Sequence, residues 1–564
     1  MTVEPLIAYF SMEIAMEPEM PTYCGGLGLL AGDMMRAAAD RQLPLVGVSL
    51  LHRRGYFRQQ LAADGWQTEA PCEWPVANFL AELPQRACVT INGRKVLLRA
   101  WRYDAMGVKD GSVPVYLLDT ALPANSEWDQ HLTDHLYGGD HWYRLCQEIV
   151  LGIGGVRMLR AIGHHHLTRY HMNEGHAALL AMELLDEHAS KAGRDHFNHD
   201  DVEAVRRQCV FTTHTPVPAG HDKFPLEMVN AALGRNEATE MREIFCCEGE
   251  LNMTYLALNL SHYINGVAKK HSEISQRMFA GYKIHDITNG VHVPTWASPP
   301  FQRLFDRHIP GWREDHFNLR YALSVPPAEV WEAHAEAKAA LLTRVNHDCR
   351  SGLEPNILTV GFARRIADYK RADLLFHDLE RLKTIARQAG AFQVVIAGKA
   401  HPGDTVGKET IRRIFRAIKA LEGHVKIAYL NDYNWALGQL MTGGVDVWLN
   451  TPLPPREASG TSGMKAALNG VPSLSVLDGW WIEGCIEGLT GWSIGSTPSP
   501  EDAAQRAAAD AASLYDKMEH CVIPLYYHGR SSFLDIMRHS IALNGSFFTS
   551  HRMLLQYVLS AYFE

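Results

Sequence analysis

At 564 residues and 63.1 kDa the chain is too long for one compact core and predicts either two large α/β domains or roughly three to four smaller ones. Hydrophobic residues make up 46% and charged residues 21%, a globular composition that excludes collagen-like and disordered chains. With 54 Lys plus Arg against 63 Asp plus Glu, a net charge of -9 repels polyanions. That excludes bulk nucleic-acid binding while leaving room for a local basic pocket.

The N-terminal segment carries Glu4 and Glu13 without a basic leader ahead of an apolar run, so no secretory signal is expected. Leu6 to Phe10 (LIAYF) reads as a strand, followed by a glycine turn, Cys24-Gly25-Gly26-Leu27-Gly28, and a helical pattern through LLAGDMMRAAADRQ. Pro44 precedes LVGVSLL, a buried-strand pattern, which completes a βαβ signal. The turn is not GxGxxG, and no acidic residue stands at the ribose distance, so it fits close approach of backbone amides to a phosphate or sugar better than dinucleotide binding. Its other reading is a glycine that only eases a tight turn.

From Tyr56 to Leu118 the runs alternate, and Asn92-Gly93 marks a hairpin, which predicts an antiparallel insertion. The most apolar run, IVLGIGGVRML from Ile149, is broken by Arg157 and three glycines and is too short to span a bilayer. Parallel-type units resume at LTRYHMNEGHAALLAMELL and QCVFTTHTPV. Histidine is abundant, with His164-His165-His166 ahead of a strand and His171 and His176 flanking Met-Asn-Glu-Gly. Neither HExxH nor Cys/His pairing at zinc spacing occurs, so no metal is expected. The cysteines, Cys246 and Cys247 among them, are scattered without CxxC and read as free thiols in a reducing compartment. GxSxG is also absent, so a serine hydrolase is not suggested.

A linker-like stretch ends at Pro326-Pro327, and AEVWEAHAEAKAALLTRV begins a long amphipathic helix. Beyond it NILTVGF, FQVVIAGK, HVKIAYL, VDVWLN and VPSLSVL alternate with helical or glycine-containing segments, the rhythm of a doubly wound parallel sheet. The expected organisation is α/β: a Rossmann-like domain over residues 1–310 carrying the antiparallel insertion, a second Rossmann-like domain over residues 326–545, and a C-terminal helix, 546–564, whose docking surface is unspecified. The boundary falls near Phe305 to Val325. Two such domains place ligands in a cleft at the carboxyl ends of strands.

Two stretches of the second half carry chemistry. Arg364-Arg365-Ile-Ala-Asp-Tyr-Lys370-Arg371 concentrates cations directly after a strand, an anion trap in an acidic protein. In Glu457-Ala-Ser459-Gly460-Thr461-Ser462-Gly463-Met-Lys465 a turn runs into a helix start, whose amides favour phosphate. Lys465 stands in the early helix, where cations or an apolar pocket would lower its amine pKa enough to condense with an aldehyde. Glu457 is a carboxylate placed to accept sugar hydroxyls. For each stretch the plainer reading is a solvated basic or capped helix end.

Taken together, these residues resemble the α-glucan (glycogen, starch, maltodextrin) phosphorylases, in particular their shorter, mostly prokaryotic branch. EASGTSGMKAALNG resembles the family's pyridoxal-phosphate attachment segment and RRIADYKR its phosphate-binding segment. CGGLG resembles its glycine loop, TTHTPV its histidine segment, ITNGVHVPTW its sugar-binding asparagine segment, and NDYNWALG its tyrosine segment. These blocks follow the family order from residue 24 to residue 469. The resemblance implies two Rossmann-like domains facing across a cleft, the GT-B type of glycosyltransferase architecture. It also implies phosphorolysis of terminal α-1,4-linked glucose by inorganic phosphate, giving α-glucose 1-phosphate with retention.

By the same resemblance Lys465 binds pyridoxal 5'-phosphate, with Arg364, Lys370, Thr461, Ser462 and Tyr433 around it. Arg365, Lys370 and the amides of Gly25, Gly26, Leu27 and Gly28 hold phosphate. Glu457, Ser459, Gly460, Asn289 and Tyr369 grip the sugar, and the His214 carbonyl faces the anomeric carbon. A cytoplasmic enzyme with glucan and phosphate as partners, and a homodimer, are the family's expectations. Two positions depart from the family: Arg364 stands where lysine is usual, and Ser462-Gly463 where Gly-Asn is usual. Two rival activities share the pattern, a nucleotide-sugar-dependent glucosyltransferase and a non-catalytic glucan-binding module.

Overall fold

The computed structural model describes residues 6–217, 220–235, 241–247, 249–495 and 502–563, with the side chains of Arg242, Cys246 and Cys247 outside that description. The thiol expectation for Cys246 and Cys247 therefore lies outside the described residues. The other eight cysteines are free thiols. The fold is mixed α/β built on parallel sheets, and the chain divides into two compact units. The first is Met1–Phe57 with Pro71–Thr288 and Met553–Glu564; the second is Arg58–Ala70 with Asn289–Arg552.

The first unit is organised by one nine-stranded sheet. In chain order its strands are β1 (Ile7–Ser11), β2 (Leu45–Leu50), β3 (Ala81–Ile91), β4 (Arg94–Met106), β5 (Ser112–Asp119), β6 (Arg169–Asn173), β7 (Cys209–Thr212), β8 (Tyr263–Gly266) and β9 (His285–Asp286). Their spatial order is β9-β8-β7-β6-β1-β2-β5-β4-β3. All neighbours from β9 to β5 are parallel, and only β3, β4 and β5 pair antiparallel. The antiparallel insertion is therefore an extension of the main sheet. Its hairpin turns at Asn92 and Gly93, both at positive φ (51° and 72°), the geometry that makes Asn-Gly a hairpin signal.

Alternation along β1 explains the burial of both sheet faces. Ala8 and Phe10 pack in one core with Leu145, Ile149, Leu151 and Leu159. Ile7 and Tyr9 pack in the other with Met34, Met35 and Ala38 of the helix α1 (Gly26–Asp40). The apolar run from Ile149 lies buried in the first of these cores, and no helix among the described residues is long and apolar enough to cross a membrane.

The second unit holds a six-stranded, all-parallel sheet. Its strands are β10 (Leu358–Ala363), β11 (Phe392–Ala397), β12 (Lys426–Leu430), β13 (Val447–Asn450), β14 (Ser473–Val476) and β15 (Gly491–Ile494), in the order β12-β11-β10-β13-β14-β15. The five runs read from the sequence are its first five strands. The sixth, GWSI, carries too little periodicity to announce itself. Strand order reverses between β10 and β13, which makes the carboxyl ends of these two strands the topological switch point.

The division between the units differs from the sequence expectation in three places. It falls between Thr288 and Asn289, not near Phe305 to Val325. The stretch read as a linker is folded, with the helix Pro299–His308 burying Phe301, Leu304 and Phe305. Arg58–Ala70, inside the expected first domain, belongs to the second unit. Its Gln59 and Gln67 amides donate to the carbonyls of Gly398 and Ala400, each at 2.9 Å. The last helix is split: Met553, Leu554, Tyr557, Ala561 and Tyr562 fill the core of the first unit, where Tyr562 hydrogen-bonds His171 at 2.7 Å.

Candidate active site

In the second unit the sequence-selected residues collect at the carboxyl ends of strands. β10 runs into Arg364, β12 into Tyr433, β13 into the turn that ends at Glu457, and β14 into Asp478. Across the switch point Arg364 Nη2 and Lys370 Nζ both donate to Glu457 Oε2, each at 2.6 Å. All three side chains are buried. Burial alone would raise the Glu457 pKa, but the combined charges and hydrogen bonds of Arg364 and Lys370 hold it at about 2. The 364–371 segment is stitched to β13's exit, where Thr451 Oγ1 donates to the Lys370 carbonyl at 3.0 Å and Leu453 N to the Tyr369 carbonyl at 2.7 Å.

Asp478, which the sequence reading passed over, completes this corner. It accepts from the amides of Glu457 and Gly479, both at 2.9 Å. Burial first, then the Glu457 charge, pushes its pKa up to about 7. Two carboxyls side by side are thus driven apart, one ionised across the working range and one titrating near neutrality, a pattern frequent in catalytic sites. Its sequence signal was its place just past a predicted strand, at SLSVLD.

Arg365 does not join the buried cluster: its side chain is exposed. Its charge reaches Tyr369, whose pKa is lowered against burial, by Lys370 first and Arg365 second. Tyr433 is held up at about 12 by burial.

Lys465 lies in the helix α2 (Ser462–Leu468), buried, with Nζ 3.6 Å from the centre of the Trp296 ring. Asn469 holds this helix against the short helix Val293–Trp296, donating to the carbonyls of Trp296 at 2.9 Å and Lys465 at 3.0 Å. Its Oδ1 accepts from Ser298 N at 2.7 Å. Trp296 and Asn469 are functional candidates that sequence reasoning left unassigned, although both stand inside quoted segments. Ser462 Oγ accepts from Trp448 Nε1 at 3.2 Å. The glycine at 463 has a steric reason, since a Cβ there would lie 2.7 Å from Trp480 Cζ2, so any larger residue has to displace that ring.

Asn289 is buried in the same unit. Its loop is zipped to the chain's C-terminal segment: Val291 N donates to Phe548 O at 3.0 Å, Ser550 N to Val291 O at 2.9 Å, and Arg552 Nη2 to Asn289 O at 2.9 Å. Three of the selected side chains keep a buried polar atom without a hydrogen-bond partner: Arg364 Nη1, Ser459 Oγ and Asn289 Oδ1. Such atoms are expensive to bury unless a ligand or water completes them.

The remaining candidates lie in the first unit, again at the carboxyl ends of parallel strands. The Gly25–Gly28 turn follows β1 and opens α1. Glu13 Oε2 accepts from the amides of Cys24 at 2.7 Å and Gly25 at 3.2 Å, which leaves the next amides at the helix start. His214 follows β7 and is bound to the exit of the adjacent β6. Its amide donates to Glu174 Oε2 at 2.8 Å, and its Nε2 lies 2.7 Å from Asn173 Oδ1. Burial lowers the His214 imidazole to about 3, so it is neutral at working pH.

Glu174, missed by the sequence reading, also accepts from Thr215 Oγ1 at 2.9 Å and from its own neighbour Gly175 N at 3.1 Å. Its backbone sits at φ 74°, ψ 167°, a region that side-chain-bearing residues occupy only under strain, and such strain gathers at functional sites. The histidines that drew attention beside it have other roles. His171 is buried between Tyr562 and Thr212.

A family model for carbohydrate phosphorylases matches residues 234–488. The chain is 38% identical to the maltodextrin phosphorylase of Thermococcus litoralis, over 98% of its own length and 70% of that protein. It is 37% identical to the glycogen phosphorylase of Mycobacterium tuberculosis, over 98% and 70%. It is 34% identical to that of Aquifex aeolicus, over 100% and 86%.

Proposed function

The chain belongs to the carbohydrate phosphorylase family, and on that premise we propose that it is an α-glucan phosphorylase, transferring the terminal α-1,4-linked glucose of a glucan or maltooligosaccharide to inorganic phosphate. The observation that carries this reading is the buried pairing of Arg364 and Lys370 with Glu457 at the switch point of the second unit. It offers cations for phosphate beside a carboxylate for sugar hydroxyls, and Arg364 keeps Nη1 for a further acceptor. The second unit, Arg58–Ala70 with Asn289–Arg552, would then be the cofactor-binding domain of a GT-B-type enzyme whose other Rossmann-like domain is the first unit. A homodimer and a cytoplasmic location follow from the same resemblance.

The residues fit pyridoxal 5'-phosphate. Lys465 is a buried amine over an aromatic ring, and Arg364 has an unmatched donor for a phosphoryl oxygen. Lys465 would hold the coenzyme, with Arg364, Lys370, Thr461, Ser462 and Tyr433 about it. When bound, its phosphate supplies an acid–base group whose second pKa, near 6 for such esters, suits proton exchange at neutral pH.

The chain's own groups account for the rest. Arg365, Lys370 and the amides of the Gly25–Gly28 turn bind orthophosphate and offset its charge. Glu457, ionised at any working pH, accepts from hydroxyls of the terminal glucose, while the Gly460 amide donates to them and Ser459 Oγ pairs with them. Asn289 Oδ1 takes the 6-hydroxyl, and Tyr369 lies toward the 2-hydroxyl. As the bond from the anomeric carbon to the departing glucan oxygen breaks, that oxygen receives a proton from orthophosphate. The phosphate oxygen then bonds to the anomeric carbon on the same face, giving α-glucose 1-phosphate. The His214 carbonyl, its loop fixed by Glu174, faces the positive charge that develops there. The neutral imidazole adds no opposing charge.

The test is Lys465→Ala in purified protein. The expected result is loss of an acid-releasable pyridoxal chromophore and of glucose 1-phosphate formation, with far-UV circular dichroism unchanged. Glucose 1-phosphate at near wild-type rate from this variant, or glucosyl transfer from a nucleotide sugar by a chromophore-free wild type, would overturn the reading.

A further inference from the structure

Outside the site described above, three histidines from separate stretches of the second unit meet in its interior. His292 stands on the loop just past Asn289, His316 opens the 3-10 helix His316–Ser324, and His551 lies in the helix Ser550–Tyr557. They are 4%, 1% and 5% exposed. Each offers one ring nitrogen, and these nitrogens lie within 4.8 Å of one another. The rings of His316 and His551 lie face to face at 3.5 Å, while His292 stands edge-on to them at 5.8 and 6.3 Å.

We propose that His292, His316 and His551 form a binding site for one divalent transition metal of the zinc class. Buried imidazoles gathered at one point bring together lone pairs that a cation unites. A set of three imidazole nitrogens suits Zn²⁺, Co²⁺, Ni²⁺ or Cu²⁺. Metal–nitrogen bonds of about 2.0–2.1 Å in a tetrahedral site place the nitrogens roughly 3.4 Å apart. The observed spread therefore closes with shifts of about an ångström, the stacked pair splaying so that its lone pairs converge. His292 is already oriented by a second contact, its Nδ1 lying 2.7 Å from Thr295 Oγ1, the kind of outer hydrogen bond that fixes the ring of a metal ligand.

None of the three histidines is among the groups assigned above to sugar, phosphate or coenzyme. The site's effect is on the Asn289 loop: His292 follows Val291, which pairs with Phe548 and Ser550, and His551 precedes Arg552, which holds the Asn289 carbonyl. A metal at the three histidines ties together the two strands of this clamp.

The test uses the full-length protein, freed of metal with a chelator and titrated with Co²⁺ alone. One equivalent of Co²⁺ should be taken up, with a visible d–d absorption that one equivalent of Zn²⁺ displaces and a metal-dependent rise in melting temperature. His316→Ala and His551→Ala should each weaken uptake at least tenfold and abolish the thermal shift. Absence of saturable one-to-one uptake by the wild type overturns the proposal, as does uptake unchanged in both variants, which would place the metal elsewhere. Should an alanine variant fail the circular-dichroism check for folding, His316→Gln and His551→Gln replace it, and the wild-type titration decides in any case. The readouts are binding and stability, so the outcome is independent of whether the chain proves to be a phosphorylase.

Discussion

Replacing Glu457 with glutamine keeps the shape of the side chain and one acceptor oxygen but leaves Arg364 and Lys370 buried without their counter-charge. The size of the effect follows from the carboxyl's pKa of about 2 against an ordinary 4.5. At roughly 1.4 kcal/mol per unit the pairing contributes about 3 kcal/mol at neutral pH, in line with the roughly 3–5 kcal/mol lost when one partner of a buried ion pair is removed. In a domain of this size that lowers the melting temperature by about 6–12 °C. The folded-state pKa is depressed, so the contribution is complete above the unfolded-state value of 4.5 and is lost as pH falls toward 2. Thermal unfolding of wild type and Glu457→Gln, followed by calorimetry from pH 8 to pH 4, should therefore show a constant gap down to about pH 5.5 that narrows below pH 4.5. A gap under about 2 °C at pH 7, or one that widens on acidification, refutes the reasoning.

Glu174→Gln weakens charge-assisted bonds to the His214 amide and the Thr215 hydroxyl. With such bonds worth roughly 1.5–3 kcal/mol, kcat should fall about 10- to 100-fold with KM for phosphate little changed. Steady-state kinetics giving wild-type kcat would show that the His214 turn needs no carboxylate. Gly463→Ala forces a Cβ to within 2.7 Å of Trp480 and should destabilise the second unit by about 1–3 kcal/mol, read as a lowered melting temperature. An unchanged melting curve would mean that Trp480 yields freely.

Much of this protein was legible in the chain because it is local. Strand–turn–helix rhythm announced β1 with α1, and β10 to β14. The Asn92-Gly93 hairpin follows from two residues that accept positive φ. The cation run after β10 and the serine-rich turn before Lys465 are contiguous stretches, readable as anion-binding chemistry before any fold is known.

What was not legible depends on residues distant in sequence becoming neighbours. That Arg364 and Lys370 close on Glu457, and not on solvent, follows from β10 and β13 lying side by side across the reversal of strand order. Arg365, equally cationic and adjacent, points outward because successive residues leave a strand end in different directions. The strain at Glu174, the transfer of Arg58–Ala70 to the second unit, the clamp on Asn289 and the meeting of His292, His316 and His551 have no sequence period at all. They arise because packing an apolar segment such as Met553–Tyr562 against one sheet carries its preceding residues to a place that composition and spacing do not specify.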